Sequence, residues 1–169
     1  MDDFSKTILR ELLPSEKDIP LPKKGKQQDE LALDHLAAPI LLERAAYLRK
    51  LAKLSEGVAS EVLKDYPQHA LHLLVRSRDG GAEQHARFAD LFIVLEGRPV
   101  LATGGAIKNA KTIAPGEIRG DAVEGGSRQE LRAGDMAHVP AGLPHQMLVP
   151  GDRPVTCLVV KMEQTAQKD

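Results

Sequence analysis

Tryptophan is absent from this chain, and the other aromatic residues are scarce, with two Tyr and three Phe among 169 residues. Proteins that bind single-stranded nucleic acid stack its bases on aromatic side chains, so this scarcity argues against such a role. An excess of one charge is also lacking, because 23 Lys and Arg stand against 24 Asp and Glu, a formal net charge of -1. Nothing in this balance attracts nucleic acid or an anionic membrane surface. We therefore expect a small-molecule ligand, no nucleic-acid partner and no membrane partner.

Cysteine is limited to one residue, Cys157, which excludes an intramolecular disulfide. It lies in the apolar run 155–160, where we expect a buried and unreactive thiol. The sequence has no Cys-x-x-Cys pair, no glycine-rich phosphate loop opening a helix, and no nucleophile elbow. Sites of these three kinds are therefore not predicted.

Long apolar runs are missing as well, and no stretch of about 18 apolar residues predicts a membrane span. The N-terminus carries Asp2 and Asp3 directly after Met1, without the basic and then apolar pattern of a signal peptide. A chain from which a leader peptide has been removed would look the same. Cytoplasmic localisation is therefore the default expectation.

The first part of the chain is expected to be an arm followed by helices. Residues 1–28 contain three prolines and a basic run at 23–26, and the apolar residues between 4 and 13 have the spacing of a short amphipathic helix. Helical periodicity extends from residue 29 to about residue 55, with Pro39 in the first turn of a second helix. Gly57 is expected to end that helix.

After Gly57 the period changes from helix to strand. In the run 70–76, apolar residues alternate, and the runs 92–95 and 100–102 flank a Gly-Pro turn that predicts a hairpin. Short strands with Gly and Pro turns are typical of a small antiparallel β barrel or sandwich. We expect residues 1–65 to form the N-terminal arm and helices, and residues 66–169 to form the β barrel.

Two stretches carry the residues with possible chemistry. The later one, residues 134–145, holds Gly134, Pro140, Gly142 and His145 in the register of the second motif of the cupin superfamily, which it resembles. That motif ends with Asn, whereas Val149 occupies the position here. The similarity spans roughly residues 71–161, and it implies a mainly β fold, the double-stranded β-helix or jelly roll, here with an α-helical N-terminal extension.

The earlier stretch, residues 83–97, resembles the first cupin motif in an altered form. Counting back from Gly97, Asp90 stands where the family has Glu, His85 takes the second His position, and Glu83 replaces the first His. Ser77 occupies the opening Gly position. Glu83 and His85 are two residues apart, so they share one face of an extended strand.

The resemblance implies a metal site formed by Glu83, His85, Asp90 and His145. Two imidazoles and two carboxylates suit one divalent ion, such as iron, manganese, nickel or zinc, and do not select among them. The net ligand charge of -2 would neutralise that ion and make it a weaker Lewis acid. In one alternative Glu83 points outward and the other three residues bind the metal; in another no metal binds and the four form a hydrogen-bonded interior.

His138 is a polar residue within an otherwise apolar strand and is our predicted catalytic residue. It would act as a proton shuttle, or as a metal ligand in place of Glu83, because a histidine titrates near neutral pH. The opposite interpretation, that it faces solvent from the other side of the strand, is equally consistent with the pattern. Three further residues are weaker predictions for lining a pocket: His72, Arg76 and Lys161. Glu117 and Arg119, on a glycine-bounded segment, can rim the same pocket.

The resemblance allows metal-dependent dioxygenase, isomerase, decarboxylase or lyase chemistry on a small polar metabolite. The same barrel also hosts non-catalytic proteins that bind or sense small molecules, because a fold does not determine a function. A structural or storage protein without metal is the third class. We expect a homodimer, and the sequence does not select a substrate.

Overall fold

The computed structural model describes residues 34–164. The helix predicted before Pro14, the basic run 23–26 and the first part of the helical pattern lie outside these residues. The described chain has one helix, α1 (Ala38–Leu54), followed by strands. The strands are β1 (Val58–Asp65), β2 (His69–Arg76), β3 (Ala82–His85), β4 (Phe88–Glu96), β5 (Val100–Thr103), β6 (Ala106–Lys108), β7 (Lys111–Ala114), β8 (Glu117–Gly120), β9 (Ala122–Glu124), β10 (Ser127–Glu130), β11 (Met136–Val139), β12 (His145–Leu148) and β13 (Val155–Glu163).

Two antiparallel sheets make up the body of the fold. One has five strands in the order β1-β2-β13-β4-β11, and the other has six in the order β10-β5-β12-β3-β8-β7. Strands β6 and β9 pair separately. This mainly β jelly roll with an N-terminal helix confirms the fold class that the sequence predicted. The chain divides between Ile40 and Leu41 into two compact units, and both sheets belong to the larger one.

Helix α1 agrees with the predicted second helix. Pro39 lies in its first turn, where a proline loses no helical hydrogen bond. Gly57 follows the helix with a φ of 82°, a left-handed conformation that favours glycine. Arg44 on the buried side of the helix forms an ion pair with Glu61 of β1, so the helix is joined to the five-stranded sheet.

Strand β1 is an addition to the prediction. It lies within residues 1–65, which the sequence assigned to the arm and helices, and it pairs antiparallel with β2 from Val58 to Asp65. Its apolar residues are few and interrupted, so no alternation marks it in the sequence. The division of the chain at residue 65 stays a prediction.

The predicted hairpin between residues 92–95 and 100–102 is wrong. Both runs are strands, but β4 pairs with β11 and β13, whereas β5 pairs with β10 and β12 in the other sheet. The turn between them therefore carries the chain from one sheet to the other. Gly97 in this turn has a φ of 88°, and a Cβ there would lie 2.8 Å from the carbonyl oxygen of Pro154. The close approach of the two segments requires glycine at this position.

The core lies between the inner faces of the two sheets. Its buried residues come from both of them: Phe92, Val94, Leu101, Leu131, Val139, Met147, Val149, Val155, Cys157 and Val159. Asp90 alternates with Phe92 and Val94 along β4 and therefore shares their inward direction. On β13, Lys161 follows Cys157 and Val159 in the same way. Both apolar rows thus end in a charged residue inside the barrel.

Candidate metal centre

Strand register brings three of the four predicted ligands together in one sheet. Glu83 and His85 occupy alternate positions of β3, and both side chains project to the same face. His145, the first residue of β12, pairs directly with Glu83. Asp90 comes from β4 in the opposite sheet. The centre therefore lies between the two sheets and is formed by three strands.

The four side chains converge on one point. One possible ligand atom from each residue lies within 4.8 Å of the others. The Nε2 atoms of His85 and His145 are each 3.3 Å from Asp90 Oδ2 and 3.6 Å from a carboxylate oxygen of Glu83. Glu83 points inward, in contrast to the alternative in which it faces solvent. The two histidines and Asp90 are 2–3% exposed, whereas the Glu83 side chain is 29% exposed and forms the open side of the cluster.

The other ring nitrogens of the histidines have partners that assign their tautomers. His85 Nδ1 lies 2.6 Å from Glu117 Oε2, and His145 Nδ1 lies 3.0 Å from the carbonyl oxygen of Leu143. Both partners are acceptors, so each Nδ1 carries a proton. In a neutral imidazole Nε2 is then an acceptor as well. Two acceptor nitrogens therefore face two carboxylates.

This arrangement fits a divalent ion. Within residues 34–164, neither Nε2 atom has a hydrogen-bond partner, although both are buried. Buried polar atoms without partners are rare, and such atoms call for an ion, a water or a proton. A cation would satisfy both nitrogens and both carboxylates at once. Imidazole and carboxylate together suit iron, manganese, nickel and zinc.

The electrostatics of Asp90 and His85 shift the pKa of each other because their side chains are in contact. Burial acts to raise the pKa of Asp90, but contacts with His145 and His85 and the charge of Lys161 hold it well below its usual range. Burial acts to lower the pKa of His85, but its contacts with Asp90 and Glu117 outweigh burial and raise it. The ring of His85 therefore binds a proton more readily than a free imidazole does, and a metal bound at Nε2 would compete with that proton.

Glu117 and Arg119 extend the polar network beyond the four residues. Because β8 pairs with β3, Glu117 lies opposite His85, and Arg119 lies opposite Glu83. Arg119 contacts both carboxylates, with Nη1 3.1 Å from Glu117 Oε2 and Nη2 3.5 Å from Glu83 Oε2. Burial acts to raise the pKa of Glu117, but His85 and then Arg119 outweigh it and lower the pKa. The sequence predicted only a rim position for both, because strand pairing is invisible to spacing.

Lys161 is placed closer to the centre than the sequence indicated. It pairs with Asp90 across β13 and β4, and its Nζ lies 2.9 Å from Asp90 Oδ1. His72 and Arg76 lie on the same face of β2 as Leu74, which packs against the core. All three weaker predictions therefore face the barrel interior. Burial and the charge of Lys161 lower the pKa of His72, which favours its neutral form.

His138 is not brought to the centre. It pairs with Leu91 on β11, whereas its neighbour Val139 pairs with Asp90, so the two residues face opposite sides of the sheet. Val139 is in the core and His138 is exposed. The predicted catalytic role and the predicted exchange with Glu83 therefore find no support in its position. The alternative interpretation, in which His138 faces solvent, agrees with the structure.

A family model described as the cupin domain matches residues 112–161 of the chain. This match covers β12 with His145, and it agrees with the two-sheet fold and with the motif register. Residues 112–161 are therefore part of a cupin domain. Among curated proteins, no sequence matches the chain.

Solved structures similar to this protein include TT1209 from Thermus thermophilus, which is 19% identical over 73% of this chain and 95% of that chain, with a TM-score of 0.52. A cupin superfamily protein from Desulfitobacterium hafniense DCB-2 is 18% identical over 68% and 88% of the two chains, with a TM-score of 0.46. A sugar phosphate isomerase of the cupin superfamily from Silicibacter pomeroyi is 22% identical over 64% and 61%, with a TM-score of 0.45. The likeness to TT1209 concerns the fold and not the activity, and the other two are more distant.

Proposed function

We propose that this protein binds one divalent metal ion through Glu83, His85, Asp90 and His145 and is a metal-dependent enzyme acting on a small polar metabolite. The observation that carries the proposal is the convergence of four buried or half-buried acceptor groups on one point. Carboxylate oxygens and unprotonated imidazole nitrogens repel one another at this distance unless a cation or protons lie between them. The buried, unpartnered Nε2 atoms support the cation.

The chain's own residues would fix the geometry of the centre. Glu117 and the Leu143 carbonyl hold the two imidazoles in the tautomer that directs Nε2 inward. The half-exposed Glu83 marks the side from which a ligand can enter. A metal in such a site polarises a coordinated carboxylate, hydroxyl or carbonyl group. The reaction classes open to the protein remain dioxygenation, isomerisation, decarboxylation and lyase chemistry.

The competing function is non-catalytic binding or sensing of a small molecule. The position of His138 favours it, because the acid–base residue that the sequence predicted faces solvent instead of the centre. Lys161 also contacts the centre, through Asp90, and it is neither one of the four ligands nor Glu117. An enzyme that needs an acid–base group at the centre would therefore have to use Lys161 in place of His138. The two functions share the same metal site, so metal binding is the first point to test.

The test is the metal content of purified, untagged protein, measured by inductively coupled plasma mass spectrometry. We expect close to one equivalent of iron, manganese, nickel or zinc in the wild type. His85→Ala and His145→Ala should each lose it, because each removes one of two neutral nitrogen donors. Circular dichroism and thermal unfolding would show that both variants are folded.

His138→Ala is the matched control, since it removes an imidazole that lies on a neighbouring strand but faces away from the centre. It should retain the metal of the wild type. A wild-type protein that is metal-free and takes up no added metal would overturn the proposal and leave the four residues as a hydrogen-bonded interior. Loss of metal in His138→Ala would instead mean that the ligand set is wrong. The expected homodimer and cytoplasmic localisation stay predictions.

A further inference from the structure

A cleft of about 430 Å³ lies between helix α1 and the five-stranded sheet. One wall comes from residues 46–53 of α1, and the other comes from the end of β2 and the segment just before β13. We call this space the α1 cleft. Val75, which lines it, faces the opposite side of β2 from Leu74, which packs against the barrel core. The α1 cleft therefore lies outside the barrel, and none of the four proposed metal ligands lines it.

Small apolar residues form the inner surface of the α1 cleft. Val75 is fully buried, Ala52 is 2% exposed, and Pro154 is half-buried. Ala46 adds an apolar side chain at the exposed edge. Small-molecule sites in proteins are mostly apolar and have volumes of about 300–1,000 Å³. The α1 cleft is therefore large enough for a small organic molecule, and its inner surface suits an apolar body.

Three cationic side chains of α1 line the same cleft, and one of them is already paired. Arg49 forms an ion pair with Glu96, whose Oε2 also accepts a hydrogen bond of 3.0 Å from Thr156 Oγ1. Lys50 and Lys53 differ from Arg49, because both are exposed and neither has an ion-pair partner among residues 34–164. The two lysines form a cationic rim on the α1 cleft.

The rim has an excess of one positive charge. Among the described residues that line the α1 cleft, Lys50 and Lys53 stand against a single carboxylate, that of Asp152. The two lysines are three residues apart, so they are neighbours on the helix surface and both ammonium groups can reach one anionic group. Because the rim is exposed to solvent, its charge selects the sign of a ligand, and the apolar interior supplies most of the affinity.

We propose that the α1 cleft binds a small organic anion that joins an apolar body to one carboxylate or sulfonate group. The apolar body lies against Ala52 and Val75, and the anionic group lies at the rim beside Lys50 and Lys53. A single negative charge matches the excess charge of the rim, which an uncharged molecule leaves unmatched. The α1 cleft is separate from the proposed metal centre, so neither proposal depends on the other.

The experiment compares 8-anilinonaphthalene-1-sulfonate with N-phenyl-1-naphthylamine, which has the same apolar body and no sulfonate. Because the chain has no Trp, the fluorescence of either compound can be followed in titrations of the purified full-length protein. We expect the sulfonate to bind at about one equivalent and more tightly than the uncharged analogue. Added salt should weaken the sulfonate alone. Equal affinities for the two compounds would overturn the proposal.

Charge variants test the rim. The double variant Lys50→Gln, Lys53→Gln should weaken the sulfonate by about tenfold and leave the uncharged analogue unchanged. Asp152→Asn should have the opposite effect on the sulfonate, because it removes a like charge from the rim. The matched control is Lys108→Gln, Lys111→Gln, which removes the same charge from two exposed lysines that are also three residues apart. It should change neither affinity.

Two further variants locate the bound compounds. Ala46→Phe fills the α1 cleft from its exposed edge and should weaken both compounds, whereas His145→Ala should weaken neither. Circular dichroism would show that each variant is folded. If His145→Ala weakens the sulfonate and the double lysine variant does not, the sulfonate binds at the metal centre and the proposal is wrong. If Ala46→Phe leaves both affinities unchanged, the compounds bind elsewhere on the protein, and the proposal is wrong for that reason.

Discussion

Glu117 acts on the centre through a single contact, the one between its Oε2 and His85 Nδ1 at 2.6 Å. A carboxylate in this position fixes the imidazole orientation and raises the basicity of the opposite nitrogen. Glu117→Gln keeps an acceptor and removes the charge. We expect it to weaken metal affinity by about tenfold. Competition with a chromophoric chelator measures that affinity directly.

Glu124→Gln is the control for this measurement, because Glu124 is an exposed carboxylate on β9. It should bind metal as the wild type does. If Glu117→Gln has the metal affinity of the wild type, the contact with Glu117 does not contribute to the positioning of the His85 imidazole. In that case, the structural role of Glu117 would be limited to its ion pair with Arg119.

The reactivity of the Cys157 thiol can be predicted from its burial alone. It is fully buried in the core between Leu74 and Val94 on the flanking strands, as the sequence predicted, and burial raises its pKa to about 12. The reactive species is the thiolate, which is negligible well below that pH. Native protein at pH 8 should therefore resist iodoacetamide, and unfolded protein should react at the rate of a free thiol. Mass spectrometry counts the adduct, and fast labelling of the native protein would contradict the structure.

The sequence located the four converging residues because a motif preserves spacing along the chain. Their neighbours Glu117, Arg119 and Lys161 were only weakly marked, since each is positioned by pairing with a distant strand. His138 shows the limit most clearly. Successive residues of a strand face opposite sides of the sheet. Composition alone did not say whether His138 or Val139 would face the barrel interior.

At the scale of elements, helix α1 depends on a buried ion pair. Arg44 is 4% exposed, and its Nε donates a hydrogen bond of 2.7 Å to Glu61 Oε2 on β1. Removing Arg44 leaves the Glu61 carboxylate, whose side chain is 19% exposed, without its partner. We expect Arg44→Met to lower the free energy of unfolding by about 3 kcal/mol. Urea unfolding measures the change.

The double variant Arg44→Met, Glu61→Leu tests the physical reason. Replacing both charges with apolar groups removes the desolvation penalty as well as the attraction, so most of the lost stability should return. If the double variant is as unstable as the single one, packing of the arginine stem, and not its charge, joins α1 to the sheet. Arg98→Met, which alters an exposed arginine in the turn between β4 and β5, should leave stability close to that of the wild type.

Elements differ in how far the sequence alone could specify them. Helix α1 was predictable because its periodicity, Pro39 in its first turn and Gly57 after its last turn are local signals. The pairing of β4 and β5 with different sheets was not, because the turn between them has the composition of a hairpin turn. The close approach of Gly97 to Pro154, just before β13, involves a segment that is distant in sequence, so no local signal marks it.

For the molecule as a whole, the proposed metal would link the two sheets, since Asp90 belongs to one and the other three ligands to the other. An ion that binds only the folded state stabilises it by about 2.7 kcal/mol when free metal is about 100 times the dissociation constant. For a domain of this size, that corresponds to a rise in Tm of roughly 5–10 °C. Differential scanning calorimetry with and without chelator should show this difference in the wild type. His145→Ala should give the same Tm under both conditions, whereas His138→Ala should keep the full shift. If neither chelator nor added metal changes the Tm of the wild type, no metal links the two sheets, and their apolar core holds them together.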